Sequence, residues 1–202
     1  MLKRLKIIGL VALMSLPAFS WSDVTIKVTD LNGKPVTNAV VFLKSPTILA
    51  QTKPLERVEI AQQNRAFVPG VQIVTVGTAI DFPNRDDVRH HVYSFSLAKI
   101  FELKLYAGKP EDPVKFESVG VVELGCNIHD SMLGWVLVND TSVFAKTDDA
   151  GYVSFKDQNE GQYKVDVWHR DFPYGAPYES FQLDNQTIQE HVLSLKTEGV
   201  TL

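Results

Sequence analysis

The chain is poor in the residues that staple, span or grip nucleic acid. It has one cysteine in 202 residues, Cys126, so no disulfide can form within it. It has five histidines and three methionines. That excludes enzymes whose copper or zinc clusters need many imidazoles, and any binuclear centre that needs two thiolates. The one long apolar run, Ile7 to Leu16, is about half the roughly 20 residues that cross a bilayer. No segment longer than about ten residues keeps a helical period, so a helical bundle is excluded. Clustered positive charge is also missing, because 20 Lys and Arg face 24 Asp and Glu. Nucleic acid and anionic membrane surfaces are therefore poor partners.

What the N-terminus does contain is Lys3, Arg4 and Lys6, the short apolar run, Pro17, and small residues at Ala18, Ser20 and Ser22. This is the layout of a cleaved secretory signal over residues 1–22, with cleavage before Trp21 or before Asp23, and it predicts a periplasmic protein. Taking the three basic residues away leaves 17 Lys and Arg against 24 Asp and Glu, a formal net charge of -7. A lone thiol in an oxidising compartment needs protection, and metal coordination is one way to give it.

The remaining ~180 residues read as strands and turns. Val24, Ile26 and Val28 alternate with Thr25, Lys27 and Thr29, and Asn32-Gly33 marks a turn before a strand at Ala39 to Leu43. A polar stretch with Pro46 and Pro54 reads as a linker. Further strands are expected at Val71 to Val76, Val92 to Phe95, Phe101 to Leu105, Val119 to Leu124 and Trp135 to Val138. The expected fold class is all-β, a sandwich.

Chemistry concentrates at Cys126-Asn127-Ile128-His129-Asp130-Ser131-Met132. The preceding strand puts Val122, Leu124 and Cys126 on one face and Val121 and Glu123 on the other, so the sulfur enters the interior as the strand ends. Thiolate, imidazole and thioether recur every three residues. Met1 and Met14 fall in the leader, which leaves Met132 as the remaining methionine. Copper that cycles between two oxidation states needs soft sulfur for Cu(I) and imidazole for Cu(II), and a His2Cys site with a weak axial Met serves both. The second imidazole comes from His90 or His91, which lie on opposite faces of one strand. Alternation does not choose between them.

The Cys-x2-His-x2-Met loop, followed by Gly134 and an apolar strand, resembles the copper loop of amicyanin, a type 1 cupredoxin. Asn84 to Val92 resembles the first-histidine motif of that family, N-x5-H-x-V, and this resemblance selects His90. More widely, FPNRDDVRHHVYSFS, FELKLYAG and GVVELGCNIHDSMLGW resemble exported cupredoxin-domain proteins of the methylamine-utilisation-like kind. The resemblance implies a Greek-key β-sandwich over 57–139 with one copper ion on His90, Cys126, His129 and Met132. It also implies that His129 is the ligand nearest the surface, between Ile128 and Leu133, with Pro83 and the Arg85/Asp86/Asp87 turn at the same end. The sequence departs from the amicyanin pattern at Ile128 and Arg89, where that family carries Pro, and at His91, where an Asn usually braces the copper loop.

Residues 24–44 and 143–168 resemble the opening and closing strands of carboxypeptidase-regulatory, transthyretin-like sandwiches, the second with a Thr147-Asp148-x-x-Gly151 turn. The expected organisation is therefore a flanking β-sandwich split between 23–56 and 140–202, with the copper domain inserted between its halves. His169 and His191 lie outside the inserted segment and read as ordinary strand-end or surface residues.

The function expected is a one-electron carrier, not an enzyme, which meets protein redox partners transiently as a monomer. The alternatives are a copper delivery or storage module, or a structural sandwich with a vestigial site. A cysteine hydrolase on Cys126, His129 and Asp130 would crowd nucleophile and base into one tight loop with no orienting partner. Structural zinc asks for four strong ligands, and a thioether is a poor one.

Overall fold

The computed structural model describes residues 21–159, 161–185 and 190–197. The leader expected over 1–22 lies outside these residues except for Trp21 and Ser22. The chain opens with β1 (Trp21–Thr29) and β2 (Val40–Lys44), then a six-residue helix α1 (Pro46–Gln51). The middle segment supplies β3 (Val58–Glu59), β4 (Ala61–Gln63), β5 (Ala66–Val68), β6 (Val71–Thr75) and β7 (Ala79–Asp81). It continues through β8 (His90–Ser96), β9 (Lys99–Tyr106), β10 (Val114–Lys115), β11 (Gly120–Gly125) and β12 (Leu133–Asn139). The chain returns with β13 (Phe144–Lys146), β14 (Tyr152–Asn159), β15 (Gln162–Trp168), β16 (Glu179–Asp184) and β17 (Glu190–Ser194).

The fold is all-β, and α1 is the one correction to that reading among the described residues. It lies in the polar stretch read as a linker. Ser45 caps it by accepting from Ile48 N at 3.3 Å, and Pro46 occupies its first turn. Six residues are too few to leave a periodic signal.

In the middle segment a five-stranded sheet, β6-β12-β11-β8-β9, faces a smaller sheet, β10-β7-β3. Val92, Val122, Leu124, Val136 and Val138 from the large sheet pack against Ile80, Phe82 and Phe116. The alternation read for β11 holds, because Val122, Leu124 and Cys126 share this core. Its other face is largely covered as well. Val121 and Trp135 pack, with the fully buried Leu137, against a second core built by Ile26, Phe42, Val165 and Trp168. Strand β12 is thus buried on both faces, which explains its nearly continuous apolar run.

The segments on either side of the middle one come together in space. Strand β1 runs antiparallel to β14, with Val24 opposite Phe155 and Ile26 opposite Val153, and parallel to β17. Strand β2 lies between β13 and β15. Two Asx turns brace this part, with Asp30 Oδ1 accepting from Asn32 N and Lys34 N, and Asp148 Oδ1 accepting from Ala150 N and Tyr152 N, all within 2.8–2.9 Å. Gly151, at φ 79°, lets the second turn lie on β1. Its carbonyl accepts from Val28 N at 2.8 Å, and a Cβ there would stand 2.6 Å from the Val28 carbonyl.

Candidate metal centre

Cys126 is the first residue after β11, and residues 126–132 form the connection to β12. The antiparallel pair Gly125–Leu133 closes the ends of that loop. Within it, Met132 N donates to the His129 carbonyl at 2.9 Å, a tight turn that sends Met132 back into the core beside Cys126. His90 opens β8 opposite Tyr106, and β8 meets β11 through the pair Tyr93–Gly125. Gly125 is needed there because a Cβ would stand 2.7 Å from the Tyr93 ring.

These elements bring three of the four predicted residues to one point. His90 Nδ1 lies 4.0 Å from Cys126 Sγ, and one donor atom from each of His90, Cys126 and His129 lies within 4.8 Å of the others. The rings of His90 and His129 stand 5.0 Å apart. His90, Cys126 and Met132 are buried, while His129 is partly exposed between Ile128 and Leu133, which are 49% and 55% exposed. Of the two neighbouring histidines, His90 points into the core. His91 points to the outer face, where Nε2 meets Glu102 Oε1 at 2.8 Å and the ring packs against Tyr93. It does not brace the loop at 126–132.

A layer of hydrogen bonds behind His90 was only partly legible in the sequence. Asp86 Oδ2 meets His90 Nε2 at 2.7 Å. An ionised carboxylate only accepts, so Nε2 carries a proton and Nδ1 is the ring nitrogen on the Cys126 side. The same carboxylate accepts from Arg65 N at 2.9 Å and Asn64 N at 2.6 Å, the two residues of the β4–β5 hairpin turn. Both have positive φ (55° and 56°), which side chains disfavour, and Asp86 offsets that strain. The Arg65 amide chiefly holds the Asp86 carboxyl below its ordinary range against the effect of burial, with His90 and Asn64 adding to it. Asn84, the first position of the histidine motif, donates to the Val88 and Tyr106 carbonyls at 2.8 and 3.0 Å and accepts from Asp86 N. Tyr106 in turn donates to the Phe82 carbonyl at 2.6 Å and accepts from Gln62. Burial pushes its phenol well up.

The donor set fits a copper ion. His129 Nδ1 and His91 Nδ1 are both buried without a hydrogen-bond partner, and of these two histidines only His129 has the His90 and Cys126 donor atoms within 4.8 Å. Two imidazole nitrogens and a sulfur converge in an apolar core that also holds a thioether. Hard cations would want oxygen ligands, and zinc a fourth strong ligand. The other two histidines play no part here. His169, directly after β15, is buried with Nε2 3.0 Å from the Thr37 carbonyl, and His191 sits in β17.

No protein-family model and no curated protein matches the chain. Solved structures do. A Cu-containing nitrite reductase from Thermus scotoductus is 23% identical with a TM-score of 0.39 over 44% of this chain, which spans 23% of the length of that enzyme. A purple cupredoxin from Nitrosopumilus maritimus is 22% identical with a TM-score of 0.36, covering 41% of this chain and 99% of that one. A Cu(I) form of an amicyanin mutant is 19% identical with a TM-score of 0.35, covering 49% of this chain and 98% of that one. At TM-scores below 0.5 these likenesses carry no argument by themselves. The middle of the chain is a β-sandwich of two facing sheets, with Cys126, His129 and Met132 carried on the loop between β11 and β12.

Proposed function

We propose that the protein is a periplasmic one-electron carrier whose mononuclear type 1 copper centre is held by His90, Cys126, His129 and Met132. The observation that carries this reading is the convergence of His90, Cys126 and His129 donor atoms within 4.8 Å. A copper ion bound by such residues supplies a one-electron couple with little rearrangement between its two states. The chain's own side chains do the rest. Cys126 and Met132 lie in a core that excludes water, Asp86 orients His90, and the loop ends are pinned by the Gly125–Leu133 pair. His129, between exposed Ile128 and Leu133, offers a small apolar face on which protein redox partners dock weakly and leave quickly.

Burial of three of the four residues favours a carrier over a delivery module, which needs an exchangeable site. No step of catalysis is assigned to the chain, and we read it as a monomer. The leader pattern supports export, and among the described residues no helix is long and apolar enough to cross a membrane. We read residues 23–56 and 140–202 as one module interrupted by 57–139, a reading supported by the β1–β14 and β2–β15 ladders. The test is the visible spectrum of the exported protein with one equivalent of Cu(II), alongside Cys126→Ser. An intense thiolate-to-copper absorption that vanishes in the variant is expected. A colourless protein, or a band indifferent to Cys126, rules the carrier out.

A further inference from the structure

The outer face of the large sheet is covered by the flanking strands over β12 and β6 but left open over β8 and β9. At the edge of that cover lies a groove of about 430 Å³ between the β8–β9 hairpin, the start of β11 and the segment 174–177. Its rim is apolar and unusually exposed, with Phe95 at 72%, Leu97 at 100% and Tyr174 at 73%, and Ile100 opposite Phe95 extends the same face. Scattered exposed apolar residues are ordinary, but several gathered around one groove mark an interaction surface.

Glu123 lines this groove, and it is buried. Both carboxylate oxygens share a single donor, Gly175 N, at 3.0 and 3.2 Å. A carboxylate has room for about four hydrogen bonds, and none of the residues lining the groove carries a positive charge to pair with it. Burial raises its proton affinity accordingly. Such a group is unfavourable until a cation or a rich donor reaches it.

We propose that this groove is a docking site for a partner protein that lays an arginine side chain across it, guanidinium on Glu123 and aliphatic stem along Phe95, Leu97 and Tyr174. The charge complements the one acidic group in an apolar surround. The stem suits the rim, and the planar head stacks on an aromatic face as a point-charged ammonium does less well. The collar is broader than a small cation could cover, and a charged anchor surrounded by apolar contacts that exclude water is the anatomy of a protein interface. This inference does not rest on copper, since none of these residues belongs to the metal centre.

The experiment is an NMR titration of the nitrogen-labelled exported chain with the peptide acetyl-Leu-Arg-Leu-amide and with its citrulline analogue, which keeps the shape but not the charge. Saturable shifts are expected at the Gly175 amide and at 95–98, with the citrulline peptide about tenfold weaker. Glu123→Gln, which still accepts from Gly175 N, should bind the two peptides equally. Leu97→Ser, a change at a fully exposed site, should weaken both peptides and keep the preference for arginine. Equal binding of the two peptides by the unaltered protein overturns the proposal. So does an arginine preference that survives Glu123→Gln, an affinity untouched by Leu97→Ser, or the absence of any saturable shift.

Discussion

Asp86 and His90 are joined through Oδ2 and Nε2 at 2.7 Å, and the same carboxylate caps the hairpin turn at Asn64 and Arg65. One side chain therefore sets both the tautomer of a candidate ligand and the shape of the loop beside it. Replacing Asp86 by Ala is expected to lower copper affinity by about 10- to 100-fold, the usual penalty for losing a group that orients a metal-bound imidazole. A chelator competition titration measures it, and unchanged affinity would mean that the core alone holds His90.

The adjacent histidines make a paired test. His90→Gln should abolish the thiolate-to-copper absorption, because it removes the nitrogen facing Cys126 Sγ. His91→Gln should leave that absorption in place, because its ring faces Glu102 and Tyr93 on the outer face. If His91→Gln loses the band and His90→Gln keeps it, the ligand has been misassigned.

Where β2 pairs with β15, Lys44 Nζ lies 2.5 Å from Asp166 Oδ2 and 2.6 Å from Asp140 Oδ1, and both Lys44 and Asp166 are buried. Burial works to raise the Asp166 carboxyl, but hydrogen bonds from Lys44 and Ser180 outweigh it and hold it below the ordinary value. Removing Lys44 leaves the buried Asp166 charge only Ser180 and the more distant, exposed Lys164 at 3.5 Å, so Lys44→Met should destabilise by about 3 kcal/mol. The double change with Asp166→Asn should recover part of that loss. Urea denaturation gives both figures, and an additive double variant would show that the pair is not coupled.

Asp81 links the same method to pH. Its carboxylate accepts from Lys109 at 2.8 Å and pairs with Arg57 at 3.3 Å, and Lys109 chiefly holds the carboxyl below its ordinary range. A depressed folded-state value means that the stabilisation is complete above the unfolded-chain value of about 3.9 and lost as pH falls through the lower folded value. Asp81→Asn should therefore weaken the protein at neutral pH, and its deficit should shrink below about pH 3.9. A deficit that stays constant across the acid range would place the effect in packing.

The residues of the centre were legible because the donor chemistry is local. Cys126, His129 and Met132 sit within one short loop, and the strand before it carries its apolar period of two plainly. The longer strands of the middle segment were legible for the same reason, whereas α1 and the two- or three-residue strands β3, β4, β5, β7 and β10 are too short to show a period. The choice of His90 over His91 was not readable from alternation. Both faces of β8 are lined with large residues, since the outer one carries Tyr93 and Phe95.

The amino-acid sequence by itself determined an all-β chain with one sulfur-and-imidazole loop, through side-chain periodicity and spacing that act between near neighbours. Only the tertiary structure decided by geometry that His90, the histidine the family resemblance had selected, faces the sulfur, that Asp86 stands behind it, and that the second face of β12 is buried. It also decided that Glu123 lies beneath an apolar rim. Apart from the Asp86–His90 contact, which spans four residues, each of these depends on segments far apart in the chain meeting at a fixed register, and a single sequence carries no direct record of such pairings.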